Sequence, residues 1–453
     1  MEQNLYERQS VTRLIFMFSI PAIFSLIVEM LTAVVDTSFA GHLGNQSESA
    51  LAAMGLLSPV QVVFVALQTL FAISTAIMVS NYLGSGDSKR LHTYFQTGFL
   101  MTLIVGIGSA LAAFLLMDPI LNLLGAEGEV RTLAQSYFRI YLLSVVFSSV
   151  GYTLTSVIRA FGNPTAEAVI ITLSVLINII GNTIFTFGMH LGMTGIALGT
   201  LLSELICAVI SMMYLQRKGQ WFHAKRIKLK EGLAVSFSLF KIGFAQTIIQ
   251  VLAGATAFIV NQQLISTGGT SHVSIWNIAN KLYMLLLMPI IGITQAVQTI
   301  ISYFNGKGDA TKKAAIVKKT MGYSVAYGVI ITLVIYWLGQ PMLHIFTSDA
   351  EVLSAATAVI KVIFVTFPLL GITYTIMTLF QVTGKEWHVV MLGITRQVIA
   401  MVPLVVMLPW LFGTYSIWNV SPAFSIFFAI PLADAATLFI SLILSRGVWS
   451  RRL

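Results

Sequence analysis

Charged residues are scarce in this chain. Asp, Glu, Lys and Arg make up 9% of the 453 residues, whereas hydrophobic residues make up 57%. The mean hydropathy is +0.87, which excludes soluble globular and disordered proteins and indicates a polytopic membrane protein. Cysteine is nearly absent as well. Cys207 is the only one and lies in an apolar run, so an intrachain disulfide is excluded and a small core residue is expected.

Long apolar runs occupy most of the sequence. A helix needs about 20 residues to cross a bilayer, and we expect the first run to be retained because it is much longer than a signal-peptide core. The sequence therefore predicts an all-α fold. Gly and Pro residues divide it into twelve predicted transmembrane helices: 14–40, 50–82, 92–117, 131–158, 164–187, 192–216, 233–265, 272–304, 315–338, 352–382, 387–411 and 422–446.

The basic residues are distributed asymmetrically between the predicted loops. The net charge of +9 would suggest nucleic acid for a soluble protein, but most of the 26 Lys and Arg fall on one side of the predicted spans, including Lys89, Arg159, Lys225 and Arg226. Cytoplasmic loops carry such an excess in membrane proteins. We therefore expect both termini to be cytoplasmic, in a prokaryotic-type plasma membrane, and we expect no nucleic acid partner.

The two halves of the chain resemble each other without a gap over a long distance. One constant offset, here called the repeat shift, places Gly84 on Gly306 and Pro119 on Pro341. Each half has six predicted spans and begins on the same side. The halves are therefore predicted to be parallel repeats, an arrangement found in transporters. We expect an N-lobe at 1–216, a basic cytoplasmic linker at 217–232 and a C-lobe at 233–453.

Two acids, Glu29 and Asp36, lie inside the first predicted span. A separation of seven residues puts both on nearly the same helix face, roughly 10 Å apart along the axis, so we expect them to face one cavity. A carboxylate near the bilayer centre costs about 2.5–3.5 kcal/mol even on the lenient insertion scale. We take Asp36 as the proton-coupling group; the alternative is a structural acid that hydrogen bonds to Asn178 or Asn182.

Polar residues of the first half are replaced by apolar ones in the second half. A purely structural network would have less reason to be present in one repeat alone, which favours a functional cluster in the N-lobe. Under the repeat shift, the replacements are Glu29 by Val251, Asp36 by Phe258, Asn178 by Ala400 and Asn182 by Leu404.

Several segments carry a family resemblance. The sequence VVDTSFAGHLG ends the first span, residues 82–87 form a Gly-rich loop, and Asn178 and Asn182 lie one turn apart. Together with the repeat, they resemble the multidrug and toxic compound extrusion (MATE) transporters over essentially the whole chain. The resemblance implies efflux of amphipathic, usually cationic compounds through a cleft between two six-helix lobes, driven by protons or sodium. It matches Asp36 to the ion-coupling aspartate.

The resemblance extends to the partners of that aspartate and to the C-lobe. Asn178, Asn182 and Thr200 match its polar neighbours. Some family members have an acid in the seventh or tenth span for sodium, whereas this chain has Gln250 and Gln381 there. This difference favours a DinF-like, proton-coupled branch over a sodium-coupled drug antiporter.

Three further ionisable residues lie inside predicted spans: Glu204, Arg396 and Asp434. Glu204 shares a helix face with Thr200 and is a further proton-coupling candidate, although it could also join helices. Arg396, deep in the eleventh span, could repel cations, bind an anionic group or pair with an acid. Asp434 is interpreted as a helix-packing residue. The predicted substrate-binding residues are Phe258, Met284, Met288, Gln250 and Arg396.

Three other function classes fit the sequence less well. A flippase for lipid-linked oligosaccharides would usually have a more basic cavity. A membrane enzyme is disfavoured because all seven histidines lie in loops or at span ends, and a passive channel does not explain one acidic repeat. We predict a monomeric transporter that is not an enzyme, has no cofactor or metal, and interacts with protons, amphipathic drugs or toxins, and the lipid bilayer.

Overall fold

The computed structural model describes residues 3–222, 227–347, 349–415 and 420–449. The predicted linker at 217–232 therefore includes residues outside the described part, among them Lys225 and Arg226. The last residues of the predicted C-lobe, including Arg451 and Arg452, also lie outside it. The described residues are almost entirely helical.

Sixteen α-helices follow one another in the described ranges, and two of them continue into π-helical turns, Thr183–Gly188 and Thr395–Met401. The α-helices are α1 Gln3–Arg8, α2 Val11–Gly41, α3 Ser47–Ser85, α4 Ser88–Leu115, α5 Met117–Leu123, α6 Gly128–Ala160, α7 Pro164–Asn182, α8 Gly192–Arg217, α9 Leu229–Lys307, α10 Ala310–Leu343, α11 Ala350–Ile363, α12 Phe367–Val382, α13 Glu386–Ile394, α14 Val402–Tyr415, α15 Pro422–Ser425 and α16 Ala429–Trp449.

Ten helical segments of the described residues are long and apolar enough to cross a membrane. One of them, α9, has 79 residues, which is about 120 Å of helix and far more than one crossing requires. Gly269 interrupts it with φ 74° and ψ −175°, so α9 supplies two spans. The bent pair of α11 and α12 supplies one more. These segments make twelve spans, and the predicted fold class is confirmed.

The tenth predicted span, 352–382, is not one straight helix. It consists of α11 and α12, which meet at an angle of 49°. Pro368 lies in the first turn of α12, where a missing N–H costs nothing but a continuous helix through this point would lose a hydrogen bond. The bounds of this span agree with the prediction to within two residues, but the bend within it was not predicted.

The helices group into two compact units, and α2 and α9 each contribute to both. The first unit comprises Met1–Gln9, Ile20–Thr247 and Gly306–Gly308, and the second comprises Ser10–Ser19, Ile248–Asn305 and Asp309–Leu453. Each unit has its own apolar core. Phe138 and Leu121 are fully buried in the first, and Phe364 and Leu264 are fully buried in the second.

The short helix α1 packs against the first unit. Its Tyr6 is completely buried, and the Tyr6 hydroxyl donates a hydrogen bond of 3.1 Å to the carbonyl oxygen of Ala160 at the end of α6. Gly162 has φ 93° and lies against Leu5 and Tyr6. An ion pair between Glu7 and Lys307 completes the attachment.

Candidate functional site

Asp36 lies in the penultimate turn of α2 and is 6% exposed. Its two carboxylate oxygens have different hydrogen-bond donors. The amide nitrogen of Asn182 donates to Oδ1 over 2.7 Å, and the hydroxyl of Thr200 donates to Oδ2 over 3.2 Å. All its direct partners in the described part of the chain are therefore neutral, and no cation compensates the buried carboxylate.

Asn178 and Asn182 are adjacent on α7 because they are four residues apart. Asn182 donates to the side-chain oxygen of Asn178 over 3.3 Å, and the amide nitrogen of Asn178 donates to Thr200 Oγ1 over 3.2 Å. Both asparagines are fully buried. The structure therefore brings together four of the predicted residues, Asp36, Asn178, Asn182 and Thr200, in one hydrogen-bonded cluster.

The cluster can hold Asp36 in either protonation state. Thr200 has one hydroxyl proton but two acceptors within reach, Asp36 Oδ2 and the carbonyl oxygen of Ile196, each at 3.2 Å. If Asp36 takes up a proton, it can donate to Thr200, and Thr200 can then donate to Ile196. Because neither state leaves the hydroxyl without a partner, switching adds no cost of an unmade hydrogen bond at Thr200.

Close helix packing positions this cluster, and the residues responsible were missed by the sequence reasoning. A Cβ added to Gly199 on α8 would lie 2.1 Å from Asn182 Oδ1, and one added to Gly195 would lie 2.6 Å from the backbone nitrogen of Thr186. Glycines four residues apart allow such an approach in membrane helices, so this spacing could have predicted the contact. A π-helical turn, Thr183–Gly188, follows Asn182 directly; such turns occur frequently at functional sites.

Glu29 and Glu204 lie in a cavity of about 90 Å³, which Asn178 also lines. The two carboxylates interact electrostatically, and within the described ranges neither has a hydrogen bond or an ion pair. Asp36 does not line this cavity, so the expectation that Glu29 and Asp36 face a single cavity stays a prediction. Asn178 instead connects the Asp36 cluster to the cavity of the two glutamates.

A buried ion pair lies near this cavity. Arg159, which the sequence reasoning assigned to a cytoplasmic loop, is in the last turn of α6, and its side chain is only 3% exposed. It contacts Glu167 of α7 over 2.9 Å. Arg159 also interacts electrostatically with Glu29. The loop assignment was wrong because α6 continues past the apolar run to Ala160.

The predicted substrate-binding residues of the second unit have different environments. Phe258 is 65% exposed, Met284 is 39% exposed, and Met288 and Gln250 are partly buried. None of these four lines the cavity of about 30 Å³ that contains Arg396 in this unit. Their role in substrate binding stays a prediction.

Arg396 has a partner that the sequence reasoning did not identify. Its Nε donates to Asp434 Oδ1 over 2.7 Å, and Thr366 lies 3.4 Å from the other carboxylate oxygen. Asp434 was interpreted as a helix-packing residue; its side chain is 2% exposed and forms an ion pair.

A family model described as MatE matches the chain twice, at residues 21–184 and 243–406. The offset between the two matches is the repeat shift, the same that places Gly84 on Gly306. The curated relatives include the multidrug export protein MepA of Staphylococcus saprophyticus, 26% identical over 423 residues and 92% of each chain. MepA of Staphylococcus aureus strain MRSA252 is 25% identical over 448 residues, 98% of this chain and 97% of the relative.

Solved transporter structures share the fold. The MATE transporter VcmN of Vibrio cholerae, in its bent form, superposes with a TM-score of 0.87 over 98% of both chains at 22% identity. A MOP superfamily transporter of Pyrococcus furiosus gives 0.85 over 99% of this chain and 98% of that one at 19% identity. The two family matches together cover most of the chain, and on this ground the protein belongs to the MatE family of transporters.

Proposed function

We propose that this protein is a secondary active multidrug antiporter that exports amphipathic cationic compounds in exchange for protons. The observation that carries the proposal is the Asp36 cluster, a buried carboxylate in a membrane-spanning helix with only neutral hydrogen-bond partners. An intramembrane acid of this kind typically marks an ion or substrate pathway. The relatives named multidrug export proteins support the drug-efflux part.

Proton binding at Asp36 would drive the cycle. Deprotonated Asp36 attracts a cationic substrate toward the first unit, and protonation removes the charge and the attraction. A ligand shifts a conformational equilibrium only by its differential affinity for the two states, so the proton must bind one arrangement more tightly than the other. Asn178, Asn182 and Thr200 would orient Asp36, while Glu29 and Glu204 would supply further negative charge nearby.

Sodium is a poorer candidate for the coupling ion. A hard cation prefers several oxygen ligands, and Asp36 is the only carboxylate of its hydrogen-bonded cluster in the described residues. Assignment to the DinF-like branch, a monomeric state and cytoplasmic termini are further parts of this proposal. The protein would act in a prokaryotic-type plasma membrane.

Reconstituted vesicles provide the test. Efflux of ethidium is measured with a pH gradient at fixed sodium and, separately, with a sodium gradient at fixed pH. We expect a response to the pH gradient alone. Transport that follows the sodium gradient alone would show that the coupling ion is sodium and not the proton. If the protein does not transport the drug but flips a lipid-linked oligosaccharide, it belongs to the alternative class, the flippases.

A further inference from the structure

The first turns of α2 and the first half of α10 meet in the second unit through polar contacts. The Lys319 ammonium group donates to Thr12 Oγ1 over 2.8 Å, and Thr12 Oγ1 lies 3.2 Å from the Tyr323 hydroxyl oxygen. The ring centroids of Phe16 and Tyr323 are 5.2 Å apart. Arg13 follows Thr12 directly, so their Cα atoms are about 3.8 Å apart. These five residues are here called the basic junction.

The repeat-equivalent junction in the first unit is apolar. The repeat shift places Arg13 on Val235 and Tyr323 on Met101. Val235 is buried, and Met101 packs against the same apolar cluster. By this equivalence the Arg13 side chain starts beside Tyr323, but it is exposed. The two repeats therefore share the packing of these helices, and only the second unit adds a cation to it.

The positive charge of the basic junction has no acidic counterpart nearby. Lys319 is exposed, whereas Thr97, its repeat equivalent, is buried. Helix α10 contains four lysines and no acid, and the first acid of α2, Glu29, lies more than four turns beyond Arg13. In the described ranges, neither Arg13 nor Lys319 forms an ion pair with a carboxylate. The junction therefore presents two uncompensated cations at the surface.

An exposed apolar strip continues along α10 from Lys319. Ala326 and Ile330 follow it by about two and three helical turns, so all three residues share one face of the helix. Ala326 is exposed, and Ile330 is 59% exposed. Ile330 lies roughly 16 Å from Lys319 along the helix axis. This length is close to the hydrocarbon depth of one leaflet, which is half of about 30 Å.

We propose that the basic junction binds the phosphate of an anionic phospholipid, whose acyl chains lie along Ala326 and Ile330. A guanidinium and an ammonium group both bind phosphate oxygens, the first through paired hydrogen bonds and the second as a point charge. Basic residues between membrane helices recognise lipid headgroups in this way. The apolar strip next to the cations favours a lipid over a free phosphate ion.

The bound lipid would act on the helix that carries the proposed coupling residue. The first turns of α2 contact α10 through Thr12 and Phe16, and a headgroup held by both Arg13 and Lys319 would strengthen that contact. Lipid binding is measured without transport, so its test is independent of the proposed efflux function and of the coupling ion.

The test variant combines Arg13→Gln with Lys319→Gln, which removes both charges but keeps side chains that form hydrogen bonds. Lys89→Gln with Arg90→Gln is the matched control, because it removes two exposed charges from the start of α4, the repeat-equivalent helix. Arg13→Lys with Lys319→Arg keeps the charges. Purified full-length proteins are titrated with dioleoylphosphatidylglycerol, dioleoylphosphatidylcholine and inorganic phosphate. Native mass spectrometry gives the Kd of each complex, and thermal unfolding without lipid reports the fold.

We expect the wild-type protein to bind phosphatidylglycerol at least about ten times more tightly than phosphatidylcholine, in which the choline cation cancels the phosphate charge. A basic residue near an anionic headgroup changes the Kd about fivefold. The test variant should therefore raise the Kd of phosphatidylglycerol about ten- to thirtyfold. The control and the charge-keeping variant should stay within about threefold of the wild-type protein, and all four proteins should have similar Tm values without lipid.

Equal weakening in the test variant and the control would overturn the proposal, because any basic surface would then attract the lipid. Equal affinity of the wild-type protein for the two lipids would overturn it as well. Inorganic phosphate that binds as tightly as phosphatidylglycerol would show a site for a soluble anion instead. If the test variant does not fold, Arg13→Gln alone replaces it, with an expected rise in Kd of about fivefold; an unchanged Kd would then contradict the lipid site.

Discussion

Replacing Asp36 by asparagine should abolish proton-driven efflux while leaving the fold intact. The asparagine oxygen can still accept the hydrogen bond that Asn182 donates over 2.7 Å. Its amide nitrogen then faces Thr200, which can accept that bond and donate its own proton to the Ile196 carbonyl oxygen 3.2 Å away. The substitution removes the charge and the proton-binding group, and it adds no buried polar atom without a partner to the one already present among the described residues of the cluster, Asn182 Oδ1.

The stability change follows from these hydrogen bonds. Because Asp36→Asn keeps them all, we expect a change in the free energy of unfolding within about 1 kcal/mol. Asp36→Leu removes the acceptor at Oδ1, so one N–H of the buried Asn182 amide loses its partner while the other still donates to Asn178, and the change should cost about 1–3 kcal/mol. The two variants therefore have different stabilities but the same transport defect.

The assay combines thermal unfolding in detergent with ethidium efflux from proteoliposomes under an imposed pH gradient. Asp36→Asn should reach the wild-type Tm closely and show only the leak of empty vesicles. Phe258→Asp, which places an acid at the repeat-equivalent position, should not restore efflux when combined with Asp36→Asn. The Phe258 side chain is 65% exposed and lacks the asparagine and threonine partners.

Wild-type efflux and pH response in a folded Asp36→Asn protein would refute this reasoning. The coupling group would then be sought at Glu29 and Glu204, which share the neighbouring cavity. Restoration by Phe258→Asp would show that the position of the acid, and not its hydrogen-bond cluster, determines coupling.

Two further predictions concern the first unit. Gly199→Ala should destabilise the protein by about 1–3 kcal/mol and reduce efflux, because the added Cβ would lie 2.1 Å from Asn182 Oδ1. The control Gly108→Ala has open space at that position and should change the unfolding free energy by less than about 1 kcal/mol. Equal effects of the two substitutions would contradict the packing explanation. Arg159→Met should lower the free energy of unfolding by about 3–5 kcal/mol, because it leaves Glu167 buried without a cation. Adding Glu167→Leu should recover most of that loss in denaturation experiments. A double variant as unstable as the single one would instead show that the ion pair contributes net stability.

The spans and the acidic cluster were accessible from the sequence because they depend on local patterns. Hydropathy and glycine or proline positions predict the helices, and the gap between the spans 233–265 and 272–304 anticipates the break at Gly269. The spacing of Asn178 and Asn182 predicts that they share a helix face. The family resemblance then pointed to Asp36 and Thr200 as their neighbours, and the hydrogen bonds agree with it.

Ion pairs between residues that are far apart in the chain could not be predicted from the sequence. Asp434 is 38 residues from Arg396, and only the packing of α16 beside the π-helical turn at Thr395–Met401 brings them together. Arg159 was placed among the cytoplasmic span ends and loops because the predicted span ends at residue 158. Its burial depends on how α6 packs against α7, which periodicity does not report.

The attachment of α1 has a consequence for the order of assembly during synthesis. Tyr6 leaves the ribosome early, but its acceptor at Ala160 is 154 residues further along the chain. At about 5–20 residues per second, that interval lasts roughly 8 to 30 s. The partner of Glu7, Lys307, is 300 residues away and arrives later still. Helix α1 therefore precedes all the spans along the chain but can dock only after α6 has been made, so a change that prevents its docking would disturb assembly only after the early spans are inserted.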